Sequence, residues 1–107
     1  MSLHEREKRM TLRLPVEVRG EDEKGGRFTE HTVSLNVSGG GICFECRRRL
    51  AIGARLELSI ELPPGLRRHF GNQPVYRARA VVCRFEQPGG PETARIGARF
   101  LRGEAPE

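Results

Sequence analysis

From Ala54 to Leu62 apolar and polar residues alternate without a break. Leu56, Leu58, Ile60 and Leu62 fall on one side of an extended backbone, and Arg55, Glu57, Ser59 and Glu61 on the other. Successive side chains of a strand point to opposite faces, so this run makes a half-buried antiparallel strand with one wet face. Pro63 and Pro64 end it, because proline has no N–H to give to a strand ladder.

The same period of two recurs along the chain. Val16 and Val18 alternate with Glu17 and Arg19, and Gly20 to Gly26 reads as a hairpin loop. Phe28 to Leu35 is a second strand, with His31, Val33 and Leu35 expected on one face. Asn36 to Gly41 is a turn, since three successive glycines continue a strand poorly. Ile42 to Cys46 is a third strand, and Ile52-Gly53 marks another turn. After the Ala54–Leu62 strand, Leu66 to Gln73 reads as a polar loop. Val75 to Phe85 and Thr93 to Leu101 supply the last two strands, with Gln87 to Pro91 between them. Six short strands punctuated by glycine and proline, with no strong helix, predict an all-β antiparallel sandwich or barrel. A closed barrel is favoured because it leaves no open edge.

The chain has 107 residues, the size of one domain with one core. The division expected is an N-terminal arm over 1–14, a barrel over 15–102 and a short tail over 103–107. The arm is charged and read as mobile, and Pro15 holds Leu14 extended. Nineteen Lys and Arg against 14 Asp and Glu give a net charge of +5, most of it from Arg, whose planar fork suits phosphates and guanine edges. No apolar run is long enough to span a membrane, and residues 1–10 lack the apolar stretch of a secretory signal. Three cysteines, an odd number, do not make a disulfide framework. The expected compartment is the cytoplasm.

Two short motifs carry chemistry. Arg9-Met10-Thr11-Leu12-Arg13 is an R-x-x-x-R, and Asn36-Val37-Ser38-Gly39-Gly40-Gly41 is an N-x-S-x-x-G. Ordinary turn chemistry and abundant Arg explain either one alone. Together, in this order and one hairpin apart, they resemble the PilZ family. There the first motif precedes the first barrel strand and the second follows the second strand. The Gly41-Ile42-Cys43-Phe44 continuation and the closing Ile96-Gly97-Ala98-Arg99-Phe100 match as well, so the resemblance covers Arg9 to Leu101.

The resemblance implies a six-stranded antiparallel PilZ-type barrel that binds the bacterial second messenger cyclic di-GMP. It implies that Arg9 and Arg13 contact phosphates and guanine edges, that Asn36 and Ser38 hydrogen-bond the ligand, and that Gly41 lets the backbone approach. A basic residue before the first Arg goes, in this family, with uptake of an intercalated ligand pair, and Lys8 holds that position. The chemistry is compatible. Guanine offers O6 and N7 to an Arg fork, guanidinium planes stack on bases, and Asn and Ser supply mixed donors and acceptors. The implied role is that of a receptor and not an enzyme, with a downstream protein partner, no cofactor and no metal. Family members often carry a C-terminal helix, which Arg102 to Glu107, with Pro106, is too short to form.

Other signals point elsewhere. Cys43 and Cys46 form a C-x-x-C, but residues three apart on a strand face opposite ways and no second ligand pair accompanies them. Arg47-Arg48-Arg49 reads as a solvated turn. No nucleophilic triad or Walker loop is legible. The competing readings are a basic β-barrel for single-stranded nucleic acid and a ligand-free PilZ-like adaptor. The first suffers from having only five Phe, one Tyr and no Trp for base stacking.

Overall fold

The computed structural model describes residues 11–101. Six strands form in chain order: β1 Pro15–Glu21, β2 Arg27–Val37, β3 Gly41–Cys46, β4 Arg55–Glu61, β5 Val75–Glu86 and β6 Ala94–Phe100. All pair antiparallel in the closed order β1-β2-β3-β6-β5-β4, with β4 returning to β1. Closure pairs both edges of every strand. Among the described residues, no helix is long and apolar enough to cross a membrane.

The interior is filled by the inward positions that period two assigns. Val16, Val18, Phe44, Leu56, Leu58, Ile60, Val82 and Ile96 are essentially sealed from water. Large residues face small ones across neighbouring strands: Leu56 opposes Ala80 and Leu58 opposes Ala78. A narrow barrel needs that alternation to fill its width without clash. Gly20 lies in β1 rather than in the hairpin loop, and a Cβ there would stand 2.8 Å from Leu56 Cδ2.

Strand β2 departs from a simple apolar-inward rule: His31 and Val33 share one face, as the period of two expects, but it is the outer one. Val33 is 41 % exposed and His31 is exposed, whereas Phe28, Glu30 and Ser34 point inward. The inward face is polar because it has polar work. Ser34 Oγ accepts the Leu14 N–H at 2.9 Å and donates to the Leu12 carbonyl, and the Ser34 N–H donates to the Leu14 carbonyl at 2.9 Å. Residues 12–14, assigned to the arm, are thus fastened to β2, and Leu14 belongs to the core. Near the other end of the barrel, Glu30 accepts the Arg47 N–H at 2.9 Å and the Cys46 thiol at 3.5 Å. Hydrophobic patterning cannot mark a face whose polar groups are satisfied from within.

The second departure lies between β4 and β5. Pro64–Phe70 is a 3-10 helix, not an irregular loop. Proline at its start gives up an N–H that would have no partner, and Gly71, at φ 80°, closes it in the left-handed region. Leu66 and Phe70 pack against the core, and Phe70 stacks obliquely on Tyr76 at 5.0 Å.

The other end is tied by the arginine run. Arg47 pairs with Glu30 (3.7 Å), Arg48 with Asp22 (3.8 Å) and Arg49 with Glu23 (3.2 Å). Arg48 also lies over Phe28 and Arg49 over Phe85. These cations tie the β3–β4 connection to the β1–β2 turn and to β2 and β5.

Replacing Ser34 with Ala leaves the Leu14 N–H buried without its acceptor, so urea denaturation should show a loss of about 1–3 kcal/mol. A pH effect is also expected at Cys46. Burial pushes its thiol up from 9.0 to about 12, opposed by the Arg48 N–H and helped by the Glu30 carboxylate. The unfolded thiol ionises near its ordinary value while the folded one keeps its proton. The contribution is therefore complete below pH 9.0 and declines as pH rises toward about 12. The stability gap between wild type and Cys46→Ala, followed by denaturation, should narrow across that window.

Candidate functional site

The β2–β3 turn is built by its own serine. The Ser38 N–H donates to the Gly41 carbonyl at 2.9 Å, and Ser38 Oγ accepts the amides of Gly40 (3.1 Å) and Gly41 (3.2 Å). A short hydroxyl side chain that bonds its own backbone is common turn chemistry. Ser38 is buried by it, and its hydroxyl proton remains to donate outward. The turn is also fixed to β6, since the Phe100 N–H donates to the Gly40 carbonyl at 2.9 Å.

Gly41 is required for a reason internal to the fold. A Cβ at this position would stand 2.5 Å from the Ala98 carbonyl oxygen of β6. The close approach is between two strands of the barrel.

Asn36 lies within β2, not in the turn. Inward positions on β2 run Phe28, Glu30 and Ser34, so strict alternation would put Asn36 inside as well. A bulge between Ser34 and Asn36 reverses it, and Asn36 pairs with Cys43, beside inward Phe44. A second bulge does the same on β5. Ala78, Ala80 and Val82 are buried, yet Arg84 is exposed, because the register shifts between Val82 and Arg84 around Cys83. Bulges re-aim side chains in this way.

The two re-aimed residues share one row across the outer face. Asn36 pairs with Cys43, Cys43 with Gly97, and Gly97 with Arg84. Arg99 stands in the adjoining row, opposite Gly41. Asn36, Ser38, Gly41, Cys43, Arg84 and Arg99 line a concavity of ≈ 550 Å³.

Of the residues named from sequence, Asn36, Ser38 and Gly41 thus come together. Arg13 is exposed and does not line the concavity, though its neighbour Leu14 is bonded to Ser34, two positions before Asn36. Lys8 and Arg9 lie outside the described residues. The sequence motifs do not mark Arg84, Arg99 or Gly97 as site residues. Alternation in Ile96 to Phe100 turns Arg99 outward, but nothing in the sequence says that β6 lies beside β3.

Cys43 and Cys46 face opposite sides of β3. Cys46 donates to Glu30 in the interior, while Cys43 lines the outer concavity. Among the described residues, no group of three or more His, Cys, Asp or Glu is placed to hold a metal.

A larger concavity of ≈ 850 Å³ lies over β1, β2 and β4. Some of its charges are engaged with one another. Glu57 pairs with Arg19 at 3.6 Å and Arg79 at 4.0 Å. Asp22 accepts the Gly26 and Lys24 amides at 2.9 Å, and its pKa is lowered, first by the Gly26 bond.

Gly41→Ala should destabilise the fold by about 1–3 kcal/mol in urea denaturation, because a backbone oxygen cannot move aside cheaply. Gly40→Ala is the control and should cost less, since a Cβ there meets nothing nearer than Ser38 Oγ at 3.9 Å.

With this geometry in hand, comparison with known proteins is informative. No curated protein sequence matches the chain. Among solved structures, the Bacillus subtilis inhibitor of motility (MotI/DgrA) aligns over 88 % of this chain with a TM-score of 0.61 and 24 % identity. The alignment takes in 40 % of MotI/DgrA, so this chain spans two fifths of that protein. The PilZ domain of YcgR from Escherichia coli, solved with c-di-GMP, aligns over 91 % of this chain and 77 % of its own, with a TM-score of 0.60 and 18 % identity. The K. pneumonia MrkH-c-di-GMP complex aligns over 90 % of this chain and 43 % of its own, at 0.58 and 17 %. These likenesses establish the barrel. The family model for the PilZ domain matches residues 4–107, and the chain belongs to the PilZ family.

Proposed function

We propose that this chain is a receptor for cyclic di-GMP, which it holds between Arg9 and Arg13 on one side and the Asn36–Ser38–Gly41 corner on the other. The observation that carries the reading is the Leu14–Ser34 bond. It fastens Leu14 to the strand that bears Asn36, and Leu12 is bonded to the same serine, so the described end of the R-x-x-x-R motif, with Arg13 between them, lies beside that strand. Membership of the PilZ family supports the ligand class, as do similar structures solved with c-di-GMP.

The roles follow from the groups. The guanidiniums of Arg9 and Arg13 bind phosphate oxygens and guanine O6/N7, and their planes stack on purine faces. Asn36 offers an amide donor and acceptor, and Ser38 its remaining hydroxyl proton. Lys8 adds charge for a second, intercalated ligand molecule. Ligand that touches both parts draws the segment before Leu12 against the barrel, and the changed surface is read by a downstream protein. The work is binding and not catalysis.

A single-stranded nucleic-acid barrel is less well supported. Such barrels stack bases on exposed aromatic rings. Phe28, Phe44 and Phe100 are buried here, and Phe70, Tyr76 and Phe85 pack against the core.

Calorimetry with cyclic di-GMP is expected to give a micromolar dissociation constant, about −8 kcal/mol. Arg9→Ala, Arg13→Ala and Ser38→Ala should each weaken it by about 10–100-fold, the range for one charge-assisted hydrogen bond or more. Binding unchanged by both Arg variants would refute the assigned roles. Amide hydrogen exchange in residues 1–11 should slow on adding ligand, and exchange rates there that do not respond would refute the drawn-in segment.

A further inference from the structure

We propose that Arg84 of β5 and Arg99 of β6 form a second basic wall of the ligand concavity, facing the Asn36–Ser38 corner and binding phosphate or guanine acceptors of the same molecule. This deepens the receptor reading and rests on it.

Strict alternation would send both Asn36 and Arg84 into the apolar interior. Independent one-residue insertions on β2 and β5 bring both outside, into a single row across four strands. Two side chains are thus re-aimed at opposite ends of one groove.

Between them stand Cys43 and Gly97. Cys43 is small, and Gly97 has no side chain. A Cβ at Gly97 would lie 3.1 Å from Arg84 Cβ, 3.9 Å from its Cδ and 4.0 Å from its Nε. The Arg84 side chain therefore runs, as far as its Nε, over the space that a side chain on β6 would fill. Any larger residue at 97 would push it away.

The arginines also differ in their carboxylate partners among the described residues. Arg19, Arg47, Arg48, Arg49 and Arg79 all have carboxylate partners within 4.0 Å. Among the described residues, neither Arg84 nor Arg99 has one, and both are exposed. Two exposed guanidiniums across a groove from an amide and a hydroxyl suit a dianion that carries purine edges.

Cys83 provides an independent reporter. It is the extra residue of the β5 bulge, it is exposed, and it lines the same concavity. Cys43 and Cys46 are buried.

The test combines calorimetry with thiol protection. Arg84→Gln and Arg99→Gln should each weaken cyclic di-GMP binding by about tenfold, and Arg77→Gln, exposed on β5 away from the groove, by less than about twofold. In the unaltered protein, saturating ligand should slow iodoacetamide alkylation of Cys83 by about tenfold, as expected if the open form alone reacts. If the unaltered protein binds but both Gln variants bind equally well, or Cys83 is unprotected, the second wall is wrong and the receptor reading stands. If the unaltered protein does not bind at all, both readings fall.

Discussion

The entry of the chain into the barrel depends on one buried hydroxyl. Ser34 Oγ takes the Leu14 N–H and gives its proton to the Leu12 carbonyl, while the Ser34 amide bonds the Leu14 carbonyl. These bonds set where the chain enters the barrel. They fix the register of β1 on β2 and hold Arg13 close in sequence and space to that junction. A residue that looks like a polar interruption in a strand is the fastening from which the site is built. Its burial is tolerable because its donor and its acceptor are both used.

From that fastening the site grows by small departures from regularity. A bulge beyond Ser34 turns Asn36 outward. Ser38 closes the turn on its own amides, and Gly41 lets β3 lie against β6. The bulge at Cys83 brings Arg84 into the same row. The rigid barrel supplies positions, and its irregularities supply aim. The apolar core below, from Val18 to Ile96, keeps those positions fixed.

How much of this the sequence discloses depends on which physical signal carries it. The run from Leu56 to Leu62 displays its strand openly, because every inward residue there is apolar. On β2 the period of two groups His31 with Val33 but does not say that this face is the outer one, because the inward set includes Glu30 and Ser34. The helix at Pro64–Phe70 is hidden since a 3-10 turn needs no amphipathic period, only Pro at its start and Gly71 at its end. Asn36, Ser38 and Gly41 are legible as a motif in one turn. Arg84 is not, because its outward aim comes from a bulge and its neighbours come from strand order. The arginine run 47–49 was read as a solvated turn. Its side chains are exposed, and they also meet Glu30, Asp22 and Glu23, whose positions beside the run come from distant segments and cannot be read along the chain.

The central claim is that one groove, bounded by Asn36 and Ser38 on one side and Arg84 and Arg99 on the other, receives the cyclic dinucleotide. Titration of isotope-labelled protein with cyclic di-GMP, followed by amide and side-chain nuclear magnetic resonance, tests it most directly. The account predicts that the largest shifts fall on the Asn36 side-chain amide, the Ser38 and Gly41 backbone amides, Gly97 and the Arg84 Nε–H. Shifts concentrated instead around Arg19, Arg27 and Arg55, with the Asn36 and Arg84 signals unmoved, would contradict it.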